Sequence, residues 1–458
     1  MMTTRPPPSD FPAVSRDDWL RLAGVAGARA QRTYDGIAIE PLPPCPASHN
    51  PTIPVRQNPK GWDVRTLHTG SDPKAARKAI AEDLAAGATS IVLQLATPGQ
   101  FGLAPRYDAI AAALDGLPLD RLTVCFSAGD QYFGAAQCLL TIWDATGRPA
   151  ASARGAIHAD PLGTLARTGA LESGLWPALE LLGQFVDSSM VSWPNVRLLL
   201  ADGTLYHDAG ASEAQELAAM LATTVEYLRV MSFESLAADA IFPHLTVGLA
   251  ADADLFLTIA KLRAARLLLA RVAEACGAAG QADRIELWVT TSRRMQTVSA
   301  PHKNILRNAI AALGAAVGGA DSLTITPHTF MTGAPDASAR RLAATTHALM
   351  TEESGLARVL DPADGSAQVA TLTDALARRA WTLFQEIEAE GGMARALLKG
   401  SVQAGIASTA ARRAADRPAV TDTPEPDDGP AQHLHPPTAP IERAETRIAA
   451  MPIRRLGT

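Results

Sequence analysis

The feature that most constrains the fold is an alternation of short apolar runs with longer amphipathic segments between Trp62 and Thr326. Five runs rich in Val, Ile, Leu and Thr have the length of buried strands, and apolar residues recur at helical spacing between them. Strands that are apolar on both faces and are joined by helices are typical of parallel βα units. The five predicted strands are Thr89–Leu95, Leu122–Phe126, Val196–Ala201, Ile285–Thr291 and Ser322–Thr326.

This alternation predicts an α/β protein with a (β/α)8 barrel over about residues 60–350 and further helices packed outside it. A doubly wound open sheet is the alternative, because only five strands are recognisable. No GxGxxG or GxxxxGK[ST] sequence follows a predicted strand, so a nucleotide-binding sheet has no motif in its favour. The predicted helices are Lys74–Ala86, Tyr107–Leu114, Ser212–Val230, Leu255–Cys276, Lys303–Val317, Ala337–Glu352 and Thr371–Glu390.

Composition divides the chain into three segments. Residues 1–50 form an extended arm with one short helix near Asp17–Val25, and four prolines between residues 41 and 46 exclude regular structure there. We expect the apolar side chains of this arm to pack against a partner. Residues 51–413 contain the barrel and its C-terminal helices. Residues 414–458 form a Pro-rich tail that should be disordered, with a short docking helix predicted near its end at Ile441–Leu456.

Charge and cysteine usage exclude several classes of protein. The net charge is −6 without a basic stripe, so nucleic acid is not an expected partner. Residues 1–10 lack the apolar core of a secretion signal, and no run approaches the roughly 18 apolar residues of a membrane helix. The four cysteines form no CxxC pair and resemble free thiols of a reducing compartment. We therefore expect a cytoplasmic protein that binds no membrane and no metal.

Several short segments between Phe11 and Arg413 carry a resemblance to a known family. The turn from Tyr206 to Ser212 reads Tyr-His-Asp-Ala-Gly-Ala-Ser, in which Gly210 permits close backbone approach and Ser212 can cap the next helix. The order of these segments resembles that of the methylmalonyl-CoA mutase family, and of its small subunits in particular. The other segments are Thr33-Tyr34-Asp35-Gly36, Ala260-Lys261-Leu262-Arg263-Ala264-Ala265-Arg266, Pro327-His328-Thr329, Glu353-Ser354-Gly355 and Gly391-Gly392-Met393-Ala394.

The resemblance implies a radical rearrangement that interconverts succinyl-CoA and methylmalonyl-CoA with adenosylcobalamin as cofactor. In that family a C-terminal domain with the sequence Asp-x-His-x-x-Gly ligates cobalt through its histidine. None of the ten histidines here has Asp two positions before it, and the sequence after Arg413 is short for such a domain. We therefore expect a partner chain to bind adenosylcobalamin in the complex, and this chain alone to bind none.

The resemblance also indicates that three catalytic positions are apolar in this chain. Leu67 stands where catalytic members have a tyrosine, Leu205 where they have a histidine, and Trp288 where they have a second histidine. Loss of these polar groups removes hydrogen bonds that polarise the substrate. No catalytic residue is therefore expected, and no cofactor-binding residue can be named. His207, two residues beyond Leu205, and His328 remain candidates for substrate binding.

Three functions are compatible with these observations. The first is a non-catalytic small subunit that forms a heterodimer with a catalytic large subunit. The second is the barrel half of a split acyl-CoA mutase, active with a separate cobalamin-binding chain. The third is an unrelated barrel enzyme, which would need paired carboxylates at strand ends; the nearest candidates, Asp35, Glu40 and Asp208, are better explained by surface or capping roles. The apolar residues at the catalytic positions favour the first function, with the isolated chain inactive.

Overall fold

Eight parallel strands close into a barrel in the computed structural model, which describes residues 15–23, 31–41, 43, 61–97, 100–416 and 447–454. The last strand pairs with the first, since Ser322 is in register with both Asp63 and Trp288. The predicted (β/α)8 barrel is therefore confirmed, and the open sheet is excluded. A hairpin, β1 (Gln31–Arg32) and β2 (Ala38–Ile39), precedes the barrel strands β3 (Asp63–His68), β4 (Ser90–Gln94), β5 (Thr123–Ser127), β6 (Gly155–Ala159), β7 (Val196–Asp202), β8 (Leu245–Ala251), β9 (Glu286–Thr291) and β10 (Ser322–Thr324).

Helices follow the strands and cover the outside of the barrel. Several begin at side chains that cap the first turn: Asp72 accepts a hydrogen bond from Lys74 N at 3.0 Å, and Ser212 forms a capping box with Gln215. The helices are α1 (Arg16–Ala23), α2 (Pro73–Ala85), α3 (Tyr107–Leu114), α4 (Tyr132–Asp144), α5 (Pro161–Thr168), α6 (Leu175–Met190), α7 (Thr204–Asp208), α8 (Glu213–Phe233), α9 (Ala238–Ile241), α10 (Leu255–Ala275), α11 (Lys303–Val317), α12 (Ala337–Ala348), α13 (Ala367–Ala389), α14 (Met393–Lys399) and α15 (Ser401–Ala415).

The five strands predicted from the sequence are present, but β3, β6 and β8 were missed. β3 carries polar side chains, among them Arg65, which point into a protein interior where a strand is expected to be apolar. β6 is composed of Gly, Ala, Ile and His, and β8 contains Gly248, so neither has a continuous β-branched run. Closure of the barrel makes these sequences strands, because the neighbouring strands supply their hydrogen bonds.

The barrel interior is filled by side chains. Leu67, Val92, Cys125 and Ala156 lie side by side on four adjacent strands and form one apolar cluster with Trp288. The much larger apolar core lies between the outer faces of the strands and the helices. The interior is thus a packed layer rather than an open channel, as is usual for barrels of eight strands.

The described part of the N-terminal arm packs on its own barrel. Asp35 accepts hydrogen bonds from the Ser212 hydroxyl at 2.5 Å and from Ala214 N at 3.1 Å, so it adds a second cap to α8. The Arg413 guanidinium lies 4.1 Å from the ring centre of Tyr34, and Ile37 packs against the main core. These contacts of residues 31–41 are with the chain's own barrel, and packing of the arm on a partner stays a prediction.

The C-terminal segment differs from the structure predicted for it. The sequence predicts a helix over Ile441–Leu456, whereas residues 447–454 are extended and lie against the barrel. Residues 417–446 and 455–458 of the predicted tail fall outside the described part of the chain. The division into residues 1–50, 51–413 and 414–458 therefore stays a prediction.

Candidate functional site

A cavity of about 390 Å³ lies at the carboxyl ends of the barrel strands. In (β/α)8 barrels this end carries the active site, since the loops that follow the strands converge there. Gln94, Ser127 and Asp202 reach the cavity from the last positions of β4, β5 and β7, and Ser292 follows β9 directly. The outer wall is formed by the segment Phe330–Gly333 and by residues 451–453.

The three apolar positions singled out in the sequence all line this cavity. Leu67 and Trp288 belong to the apolar cluster that closes its floor, and Leu205 contributes to the wall from α7. The Trp288 indole N–H is engaged with the Thr324 hydroxyl at 2.9 Å. These three side chains therefore present apolar surface, and no free hydrogen-bond donor, to whatever occupies the cavity.

His158 completes the floor and was not found from the sequence. Its ring stacks on Trp288 with centroids 5.2 Å apart and planes 6° apart. Nδ1 lies 3.0 Å from the Phe126 carbonyl, which can only accept, so Nδ1 carries the hydrogen and Nε2 is a bare acceptor without a partner in the described structure. Burial, aided by Arg65, lowers the pKa of His158 to about 3, so the ring is neutral at neutral pH.

His158 was missed because its strand was missed. Its backbone adopts φ of +54°, and the register of β6 with β7 shifts between Ala156 and Ala159. This bulge does not break the alternation along β6, since His158 points into the barrel like Ala156, whereas Ile157 and Ala159 belong to the outer core. Neither the bulge nor the stacking on Trp288 leaves a recognisable spacing in the sequence.

Two acidic residues give the cavity its polar side. Asp160 caps α5 through Gly163 N at 2.9 Å and accepts from the Tyr227 hydroxyl at 2.5 Å. Burial, and then the nearby charge of Asp202, raise the pKa of Asp160 to about 7. Asp202 itself forms an ion pair with Arg167 at 3.1 Å. These carboxylates lie at the carboxyl ends of β6 and β7, where (β/α)8-barrel enzymes carry their catalytic residues. The sequence analysis did not identify either of them.

This arrangement can bind a small polar molecule and exchange a proton near neutral pH through Asp160. Burial raises the pKa of the nearby Cys125 thiol to about 12, so it is not a nucleophile. The cysteines within the described ranges, Cys125, Cys138 and Cys276, are unpaired, as expected. The Ser292 hydroxyl on the cavity wall does have an imidazole beside it, since His207 Nε2 lies 2.8 Å away.

His207 lies behind the cavity wall rather than in it. The side chain is completely buried, with Nδ1 3.2 Å from Glu216 and Nε2 2.8 Å from the Ser292 hydroxyl. Lys261 donates to the same Glu216 carboxylate at 2.6 Å. His207 therefore reaches the cavity only through Ser292, and its role in substrate binding stays a prediction.

His328 lies outside the cavity, although Phe330 of the same segment lines it. His328 borders a small separate recess with Asn308 and Thr326, and its ring lies 5.4 Å from that of His302. Its backbone carbonyl accepts from the Asn304 amide at 3.0 Å, which anchors the segment. A direct role of the His328 ring in substrate binding also remains a prediction.

The other charged candidates have structural roles. The basic residues of α10 are ion-paired: Lys261 with Glu216, Arg263 with Asp361, and Arg266 with Asp321. Glu40 pairs with Arg16 at the surface, while Asp208 lines the cavity near its mouth. The three basic side chains are thus buried and held in ion pairs with residues outside α10.

The described residues do not fit a cobalamin. Residues 451–453 lie across the cavity mouth, where a broad, flat corrin ring would have to approach the barrel. Within the described ranges, no three His, Cys, Asp or Glu side chains are grouped to hold a metal ion. None of the helices in those ranges is both long and apolar enough to cross a membrane.

Fold and cavity together define a (β/α)8-barrel protein with a covered pocket at the carboxyl ends of its strands. The family profile described as methylmalonyl-CoA mutase matches residues 52–419. The chain belongs to the methylmalonyl-CoA mutase family.

Curated relatives refine this position within the family. The methylmalonyl-CoA mutase small subunit of Streptomyces virginiae is 41% identical over 432 residues, which cover 88% of this chain and 68% of the relative. The probable small subunit of Mycobacterium tuberculosis is 36% identical over 450 residues, covering 92% and 70%. The large subunit of Streptomyces virginiae is 28% identical over 409 residues, covering 85% and 55%. The chain is thus more similar to the small than to the large subunit of one organism.

Proposed function

We propose that this chain is a non-catalytic small subunit of a cobalamin-dependent methylmalonyl-CoA mutase. In this proposal it forms a heterodimer with a large subunit, which binds adenosylcobalamin and isomerises succinyl-CoA and methylmalonyl-CoA. The observation that carries the proposal is the apolar lining at Leu67, Leu205 and Trp288, three positions that the family resemblance marks as catalytic. The greater identity to small subunits supports the same role.

The shape of the barrel interior adds to this support. The stacked rings of His158 and Trp288 and the cluster around Val92 close the floor, and residues 451–453 cover the mouth. These side chains lie at both ends of the cavity, where a long acyl-CoA thioester would have to enter. Loss of a single oxyanion-type donor commonly costs about 10²–10³ in rate, so the absence of several leaves little catalysis.

The test is reconstitution with the large subunit from the same source. Mixed chains should migrate as one complex in sedimentation velocity, and the complex should unfold at a higher temperature than either chain, because binding stabilises folded partners by mass action. With adenosylcobalamin and either acyl-CoA, turnover should require the large subunit. Turnover by the isolated small chain would overturn the proposal.

The split acyl-CoA mutase is the alternative. Asp160 favours it, since a buried carboxyl with a pKa near 7 beside a cavity is common in active sites. The two functions differ in the partner they need: activity with a stand-alone cobalamin-binding protein, abolished by Asp160→Asn, would support the split enzyme. Activity only with a large subunit that carries its own catalytic residues, unchanged by Asp160→Asn, supports the non-catalytic role.

A further inference from the structure

The extended residues 447–454, called the C-terminal strap below, contact the mouth of the barrel through their backbone. Ile448 N donates to Gly169 O at 2.8 Å, Met451 N to Ala166 O at 2.9 Å, and Arg454 N to Asp208 O at 2.7 Å. Residues 447 and 170 also form an antiparallel bridge. The strap is therefore held at three points along its length, on two different helical segments around the mouth.

The barrel is shaped to receive this strap. Gly169 follows α5 with φ of +84°, and a Cβ there would lie 2.7 Å from Ile448 O, so a side chain would push the strap away. Ala166 is in the last turn of α5, where helix carbonyls lack partners within the helix. The Met451 amide supplies the missing donor, as a ligand or an ordered water otherwise would.

The strap side chains reach the cavity itself. Met451 is 7% exposed and belongs to the main apolar core, while Met451, Pro452 and Ile453 line the cavity opposite its packed floor. Small-molecule pockets commonly combine an apolar wall with a few backbone hydrogen bonds, and these are the contacts that the strap makes.

We propose that the mouth of the barrel is a binding site for the chain's own residues 447–454, which close the cavity as an internal peptide ligand. The class of ligand is an extended apolar peptide that hydrogen-bonds to Ala166, Gly169 and Asp208 through its backbone. Tethering to α15 through residues 417–446 gives the strap a high effective concentration, so it excludes outside ligands without tight intrinsic binding. Closure of the mouth does not depend on whether the chain pairs with a large subunit.

Thiol labelling tests this closure. Ser127→Cys places a thiol in the cavity, and Cys276, which is exposed, serves as an internal reference in the same molecule. Labelling by a bulky maleimide, resolved by peptide mass spectrometry, should be at least about tenfold faster at position 127 when the chain ends at Thr446. The rate at Cys276 should not change. A synthetic peptide with the sequence of residues 447–454 should restore protection in the shortened chain, and a scrambled peptide should not.

A pair of variants in the full-length chain provides a second measurement if the shortened chain does not fold. Met451→Gly removes the side chain that enters the core, and Ala449→Gly makes the same backbone change at an exposed position that does not line the cavity. Labelling at position 127 should accelerate with Met451→Gly and stay unchanged with Ala449→Gly. Equal rates in the parent and Met451→Gly chains, or protection by the scrambled peptide, would overturn the proposal.

Discussion

The two ends of the barrel interior use charged groups in opposite ways. Near the amino ends of the strands, Arg65 donates to Glu286 at 2.7 Å and to the Ser90 hydroxyl at 3.0 Å. Thr246 and Arg197 contact the other oxygen of Glu286 at 2.9 Å and 3.3 Å. Burial alone would raise the pKa of Glu286, but Arg65 and Arg197 outweigh it and hold that pKa far below the ordinary range. At this end the charges are paired with one another, although Arg65 Nη1 itself makes no hydrogen bond within the described residues.

At the carboxyl ends, by contrast, the polar groups are incompletely paired. The pKa of Asp160 is raised rather than lowered, and His158 Nε2 has no partner within the described residues. The C-terminal strap that covers this end, residues 447–454, lies far from these residues in the sequence. The difference indicates that the charged groups at the amino end stabilise the barrel. The polar groups at the carboxyl end are arranged as in a ligand site, and the C-terminal strap covers them.

The largest expected effect is on stability, from Glu286→Gln. Breaking a buried ion pair typically costs about 3–5 kcal/mol, and Arg65 would be left with the half-buried Asp63, 3.0 Å away, as its remaining countercharge. Urea unfolding should show this loss at neutral pH. Glu274→Gln is the matched control, since Glu274 forms an exposed pair with Arg271, and should cost about 0–1 kcal/mol. Similar losses in both variants would show that the network at the amino end is not structural.

A smaller, pH-dependent effect is expected at the carboxyl end, from Asp160→Asn. A carboxyl whose folded-state pKa is raised stabilises the protein below its unfolded pKa, and this contribution is lost as the pH rises toward 7. Between pH 5 and 8 the variant should therefore gain stability relative to the parent, by at most about 3 kcal/mol. Asp187→Asn, at an exposed position of α6, should show no such trend. A stability difference that does not vary with pH would indicate that Asp160 is ionised throughout.

The smallest effect on stability should come from Gly169→Ala, which tests how the C-terminal strap is held in place. Gly169 and Gly277 both follow a helix with positive φ, but a Cβ at Gly277 would meet open space. Each alanine should cost about 1 kcal/mol through its backbone conformation. Only Gly169→Ala should also expose a thiol at position 127 to labelling, because it displaces Ile448. Equal labelling in the two variants would mean that the position of the strap does not depend on the contact between Gly169 and Ile448.

Much of the barrel follows from local sequence. Apolar runs such as Val196–Ala201 and the capped helix after Ser212 specify their own structure, because strand burial and helix capping are short-range properties. The positions Leu67, Leu205 and Trp288 could also be located, since the segments around them resemble those of the family. All three line one cavity in the structure.

The rest depended on contacts between residues far apart in the chain. β3, β6 and β8 are strands because the barrel closes around them, and His158 belongs to the floor because the barrel brings β6 and β9 close enough for its ring to stack on Trp288. The pKa of Asp160 depends on burial and on Asp202 from another strand. The strap is extended rather than helical because Ala166, Gly169 and Asp208 offer it carbonyl groups. The sequence by itself determined which segments are strands and helices where the apolar pattern is local. Only the tertiary structure decided which polar groups meet. Hydrogen bonds and desolvation at the barrel mouth involve residues that lie far apart in the sequence.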